Sequence, residues 1–253
     1  MPDLATSLDT DFRGLDPLAR LRRLRETVEG RIVFTTSFGL EDQYLAHLVY
    51  ANDIAIDIVT LDTGRLFPQT YAVWQETEEK YGRRIRAFYP DGKALEELIG
   101  DQGINGFYYT TDARKACCGV RKVELLKRAL AGAAAWVTGL RGDQSANRAT
   151  MDFVAVDAGF GLIKANPLMD LSRETIDAAA KAAGVPLNAL HAQGFPSIGC
   201  APCTRAIAPG EDERAGRWWW EQDDKKECGL HVAADGSIAP RATPAKGDRP
   251  WAG

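Results

Sequence analysis

Arg31-Ile32-Val33-Phe34-Thr35-Thr36-Ser37-Phe38-Gly39-Leu40-Glu41-Asp42 decides the fold class. Its first five residues form the short, continuous apolar run that suits a buried parallel strand, and a helical pattern follows the polar turn. Strand, polar Gly turn and helix are the grammar of an anion-binding loop, because a hydroxyl and a glycine at a helix N-terminus leave backbone N–H groups free for a phosphate. The same residues also suit an ordinary βα turn capped by Ser37. Neither a GxGxxG nor a Walker A pattern is present, and on this loop alone both readings stay open.

The pattern repeats outward. Ala55 to Leu61 reads as a strand running into Asp62-Thr63-Gly64-Arg65, and Tyr71, Val73, Trp74 and Tyr81 mark the next helix. Arg84 to Tyr89 follows as a strand, Ala94 to Ile99 as a short helix, and Trp136 to Leu140 as a strand ending in Arg141-Gly142-Asp143-Gln144-Ser145, with Arg148 close behind. Phe153–Val156 and Leu162–Ala165, joined by Asp157-Ala158-Gly159-Phe160, predict a hairpin. Ser172 to Ala183 predicts a capped helix, and Val185-Pro186-Leu187-Asn188 opens a short one before His191, to which no role is given. Before the first strand, Asp16-Pro17 caps an amphipathic helix to Val28, with Arg20, Arg22, Arg23 and Arg25 on a solvated face. The expected class is α/β, a doubly wound, mostly parallel sheet whose ligand crevice lies at the carboxyl ends of the strands. Several polar loops on that one edge make a nucleotide pocket more credible than any one of them.

The cysteines need a separate explanation. Cys117 and Cys118 are adjacent in Lys115-Ala116-Cys117-Cys118-Gly119-Val120-Arg121-Lys122; Cys200 and Cys203 form a Cys-Ala-Pro-Cys loop; Cys228 stands alone. The two pairs supply four thiolates for an iron–sulfur cluster or a zinc ion. The spacing predicts one helix from about Asp112 to Ala131, on which Lys122 shares a face with Cys118 and Arg121 with Cys117. Lys122 is then placed to compensate an anionic cluster and to reach an anionic substrate. Arg214 and Arg217, three apart on an expected helix, offer two guanidinium forks on one face, while Trp218-Trp219-Trp220 is read as packing.

At 253 residues the chain can bury a full core without disulfides, and its net charge of −4 argues against a nucleic-acid coat. No apolar run is long enough for a membrane span, and no signal peptide is read at the N-terminus, so a cytoplasmic protein is expected. That compartment is reducing, which favours metal binding or catalysis over disulfides for the thiols.

Ser37-Phe38-Gly39 with Glu41-Asp42, Leu61-Asp62-Thr63-Gly64-Arg65, Cys117-Cys118 with Lys122, Arg141 with Asp143-Gln144-Ser145, Cys200-Ala201-Pro202-Cys203, the Glu213-to-Trp220 stretch and Glu227-Cys228-Gly229-Leu230-His231 together resemble the assimilatory adenylyl-sulfate (APS) reductases, relatives of the phosphoadenylyl-sulfate (PAPS) reductases. The resemblance spans about residues 30 to 231. It implies an adenine-nucleotide α-hydrolase-like fold, a 4Fe-4S cluster on Cys117, Cys118, Cys200 and Cys203, and reduction of APS to sulfite and AMP. It also implies a nucleophilic Cys228, with Lys122, Arg214, Arg217 and His231 at the sulfate end and Ser37, Gly39, Leu61, Thr63, Arg141 and Arg148 around the nucleotide. Lys225, Lys226 and His231 flank Cys228 and suit a stabilised thiolate. No fused thioredoxin-like domain fits in the chain, so a separate thioredoxin or similar protein is the expected reductant. PAPS or dual-substrate reduction is the alternative. A cluster-bearing tRNA-thiolating enzyme is less favoured, because the first loop lacks Ser-Gly-Gly-x-Asp-Ser. The expected organisation is a helical segment over 1–30, a reductase domain over 31–220, and a flexible tail over 221–253 carrying Cys228; a homo-oligomer stays open.

Overall fold

The computed structural model describes residues 1–144 and 148–221. Ser145, the expected tail beyond Glu221, Cys228 and His231 therefore lie outside the described residues.

Two helices open the chain, α1 (Pro2–Phe12) and α2 (Pro17–Thr27), the second capped by the Asp16 carboxylate, which accepts from Ala19 N at 2.9 Å. Then come β1 (Arg31–Thr36), α3 (Leu40–Ala51), β2 (Asp57–Leu61), α4 (Pro68–Tyr81), β3 (Arg86–Phe88) and α5 (Gly92–Gln102). The thiol-bearing α6 (Thr111–Cys118), α7 (Glu124–Leu130), β4 (Ala133–Val137), β5 (Val154–Asp157), β6 (Leu162–Ala165) and α8 (Arg173–Ala182) complete the set. The strands form one sheet in the order β3-β2-β1-β4-β6-β5, parallel except for the β5–β6 hairpin at one edge.

The apolar run of β1 is explained by burial on both faces. Ile32 and Phe34 face a core shared with α2, α3 and α8 through Leu24, Leu45 and Ile176; Val33 faces a second core with Leu126, Leu130 and Trp136. Neighbouring β4 divides in the same way, Val137 on one side and Trp136 on the other. This is the doubly wound arrangement. The first core also takes Leu8 and Phe12 of α1, so the N-terminal helices pack as part of the same body.

Four local expectations are corrected. The helix from Asp112 to Ala131 is interrupted by a π-turn over Gly119–Val123 between α6 and α7. A glycine of low helix propensity opens that wider turn, so side chains no longer recur at simple fourth-residue spacing. The strand expected from Trp136 begins earlier, at Ala133, where three alanines carry no β signal, and stops at Val137. Arg214 and Arg217 sit on consecutive turns instead of a helix, Arg217 entering an isolated antiparallel bridge with Thr204. Arg20 is not on a solvated face: it is 2% exposed and donates to Asp170 at 2.6 and 2.8 Å and to the carbonyls of Phe12 and Pro167. Among the described residues no helix is long and apolar enough to cross a membrane.

Candidate active site

A cavity of about 210 Å³ opens at the carboxyl ends of β1, β2 and β4. Its floor is the loop after β1. There Ser37 donates to Asp42 through both its backbone N (2.6 Å) and its hydroxyl (2.7 Å), and Phe38 N donates to the Thr36 hydroxyl at 3.0 Å. Phe38 adopts a left-handed φ of 60°, uncommon for an aromatic residue, and its fully buried ring stacks on Trp74 at 5.4 Å. Gly39 precedes α3 without a side-chain cap, which leaves the first-turn N–H groups for other acceptors. The opposite wall comes within contact distance: a Cβ on Gly139 would lie 2.2 Å from Asp42 Oδ1.

Asp42 is buried, and desolvation pushes its carboxyl up to about 6, the neighbouring Glu41 charge adding to the rise and the Ser37 bonds opposing it. Its folded pKa thus exceeds the unfolded value of about 3.9. Ionised Asp42 destabilises the fold above pH about 6, and that penalty is relieved as pH falls toward about 4. In urea unfolding at pH 5 and pH 7, the stability difference between wild type and Asp42→Asn should therefore move in favour of wild type at the lower pH. A pH-independent difference would contradict the burial argument.

The basic side of the cavity is formed by Lys122, Arg148, Arg214 and Arg217. Arg217 is 6% exposed, its guanidinium lies 4.7 Å over the Trp218 ring, and its Nε has no hydrogen-bond partner. Gly199 admits it, since a Cβ there would sit 2.2 Å from Arg217 Nη2. A buried cation with an unmade hydrogen bond, beside a cavity, is a group prepared for an oxyanion.

Behind this wall Cys117, Cys118, Cys200 and Cys203 line one chamber together with Arg65, Phe107, Arg114, Arg121 and Lys122. The Cys-Ala-Pro-Cys loop is held there by Ala201 N donating to Arg65 O at 2.8 Å and by the Tyr108 hydroxyl on Pro202 O. Thr63, which lines the nucleotide-side cavity, also has its hydroxyl 3.2 Å from Cys200 Sγ. Burial pushes the Cys203 thiol up to about 12, the Cys200 charge adding to the rise while Lys122 and Arg217 oppose it. Burial raises Cys117 likewise, with Arg121 opposing. Four buried or half-buried soft donors around one void fit a metal centre such as an iron–sulfur cluster. Among the described residues no three His, Cys, Asp or Glu side chains converge to hold a single metal ion.

Of the residues picked from sequence, Ser37, Gly39, Leu61, Thr63, Lys122, Arg148, Arg214 and Arg217 all line the cavity, and Lys122 lines the thiol chamber as well. Arg141 does not line it; it is fully buried among carboxylates. Trp218 is packed against Phe107, Cys200 and Cys203, as packing was expected to be. Sequence reasoning gave no role to Gly139, Gly199 or the Pro196–Ile198 stretch of the lining, which carry no motif; the position of Pro196–Gly199 directly before Cys200 was the available signal.

Fold and site define an α/β protein with a doubly wound, mostly parallel sheet, in which a strand-end anion cavity abuts a four-cysteine chamber. The family described as phosphoadenosine phosphosulfate reductase domain matches residues 31–206, and the chain belongs to that family. It is similar to the adenosine 5'-phosphosulfate reductase of Sinorhizobium fredii (strain USDA 257), 52% identical over 95% of this chain and 96% of the relative. The protein of the same name from Allochromatium vinosum is 50% identical over 94% of each chain. Among solved structures, the phosphoadenylyl-sulfate reductase of Candida auris in a phosphate complex superposes with a TM-score of 0.68 at 25% identity, over 80% of this chain and 96% of that one.

Proposed function

We propose that this chain is a thioredoxin-dependent adenylyl-sulfate reductase, releasing sulfite and AMP in the assimilation of sulfate toward cysteine in the cytoplasm. The observation that carries this reading is Lys122, a single cation lining both the anion cavity and the four-thiol chamber. The names of the relatives, APS reductases at about half identity over nearly the full chain, favour APS over PAPS.

In this reading the N–H groups of the loop through Ser37 and Gly39, with Arg148, hold the adenylate phosphate, and the strand end at Leu61 and Thr63 borders the nucleoside. Lys122, Arg214 and Arg217 take the sulfuryl oxygens, with His231 joining them. The Cys228 thiolate attacks sulfur, the S–O bond to AMP breaks with its electron pair leaving on the AMP phosphate, and a cysteine S-sulfonate forms. A thioredoxin thiolate then attacks Cys228 Sγ, sulfite departs with the S–S bonding pair, and the mixed disulfide is resolved by the second thioredoxin thiol. The two electrons that reduce sulfur thus come from the thioredoxin dithiol.

Cys117, Cys118, Cys200 and Cys203 would hold a 4Fe-4S cluster. Bound there, it supplies fixed negative charge that orients and tunes Lys122 and the neighbouring arginines. The chain also leaves the described body in a useful place. Glu221, the last described residue, is gripped by Arg114 of the chamber wall at 2.7 and 2.9 Å. Seven further residues, at full extension, give Cys228 a reach of about 25 Å from that anchor.

Steady-state sulfite release with reduced thioredoxin, APS against PAPS, tests the reading: APS should be the preferred substrate. A preference for PAPS would move the protein to the alternative, and no sulfite from either would remove reductase activity from the account.

A further inference from the structure

Arg141 ends the loop after β4 with no exposed surface, and every nitrogen of its guanidinium is engaged. Nε donates to Glu41 Oε1 at 2.8 Å, Nη2 to the two oxygens of Glu213 at 2.9 and 2.7 Å, and Nη1 to Asp143. Glu41 and Glu213 line the cavity, whereas Arg141 lies behind them. An incoming anion would meet those carboxylates before it met the guanidinium. A second cation completes the cluster: Arg173 Nη1 lies 3.3 Å from Glu213 Oε1 and 3.8 Å from Glu41 Oε1, and donates to Pro196 O at 3.1 Å.

Glu213 immediately precedes Arg214. Backbone bonds of these turns include Ala215 N to Asp212 O and Arg217 N to Arg214 O, and others run to the neighbouring Arg205 and Cys203 segment. The grip on Glu213 links the basic turns to the loop after β4 and to the first turn of α3. It has an electrostatic side too. A carboxylate next to an anion-binding arm competes with the substrate for that arm unless it is occupied elsewhere, and Arg141 occupies it through Nη2, which reaches both Glu213 oxygens while Nε and Nη1 are held by Glu41 and Asp143.

We propose that Arg141 is a positioning residue that acts through Glu213, aiming Arg214 and Arg217 into the cavity and keeping the Glu213 carboxylate from neutralising them. This rests on the reductase reading and deepens it: Arg141 acts on the sulfuryl end of the substrate and touches none of it.

The test is a double-mutant cycle in the Cys228→Ser protein, which holds APS without turning it over. Affinities for APS and AMP are measured by calorimetry for Arg141→Gln, Glu213→Gln and the double variant. Arg141→Gln should weaken APS by about tenfold and AMP by much less, because only APS carries the sulfuryl group that the basic turns meet. The double variant should bind APS no worse than Arg141→Gln alone. Losses that multiply, or equal losses for APS and AMP, would overturn the proposal: the first is the behaviour of a direct ligand, the second that of a merely structural residue. Should Arg141→Gln fail to fold, the selective loss of APS over AMP is read from Glu213→Gln, whose side chain is less buried. Hydrogen exchange needs no ligand and separates the two readings. Amides of residues 213–217 should exchange faster in Arg141→Gln, and unchanged exchange would overturn the proposal even if the parent bound neither nucleotide, a result that by itself would sink the reductase reading.

Discussion

Cys228→Ser should lose sulfite release by about 10⁴-fold or more while keeping its iron, its brown colour and its affinity for AMP. The two halves of that result have separate causes. The other four cysteines line the chamber with Lys122 and Arg121 and would hold the proposed cluster, which leaves Cys228 as the thiol for the sulfonate. A serine hydroxyl is neither ionised at neutral pH nor soft enough to attack sulfur at a useful rate, so no substitute nucleophile arises at that position. Activity assays, iron analysis and AMP calorimetry on one preparation check both halves. Wild-type turnover in the variant would make the nucleophile assignment wrong.

Cys203→Ser should fail in the opposite order. Cys203 is 8% exposed, and its neighbours in the small third core are Phe107, Cys200 and Trp218, with Trp218 N donating to Cys203 O at 3.2 Å. Removing one of the four proposed ligands would weaken the metal site, leaving a chamber lined by arginines and a lysine without the negative charge of a thiolate-bound cluster to balance them. Iron and sulfide content should fall well below the four of each expected of wild type, with a drop of about 10 °C or more in the thermal midpoint. Anaerobic preparation, metal analysis and calorimetry read this directly. A colourless wild-type protein with one zinc and full activity would remove the cluster from the account.

Much of this was legible in the sequence because the signals were local. The apolar run from Ile32 to Phe34 suited a buried strand, and it is covered on both faces; the turn residues between Val156 and Leu162 produced the antiparallel hairpin expected there. The two cysteine pairs, far apart in sequence, do meet around one chamber. What escaped was set by tertiary contact. The π-turn at Gly119–Val123 changes the phase of the thiol helix, yet Cys117, Cys118, Arg121 and Lys122 all still reach the chamber, so the conclusion drawn from ideal spacing held for a different geometric reason. Arg214 and Arg217 were placed on a helix because three-residue spacing suits one; they reach the cavity from turns steered by the bridge at Arg217 and by Gly216, where a Cβ would lie 2.3 Å from Arg205 O. Arg141 sat in a polar strand-end loop and read as a substrate ligand, since no local pattern shows that Glu41 and Glu213, far from it in sequence, take up its guanidinium.

In the proposed mechanism sulfur passes through a covalent bond to Cys228. Wild-type protein, prepared anaerobically and mixed with APS in the absence of any thiol reductant, should gain the mass of one sulfonate, located by peptide mass spectrometry on the fragment containing Cys228, with one AMP released per chain. Reduced thioredoxin added afterwards should discharge that mass as one equivalent of sulfite. Sulfite release in the complete assay from a protein that never carries a sulfonate on Cys228, or carries it on a different cysteine, would contradict the account.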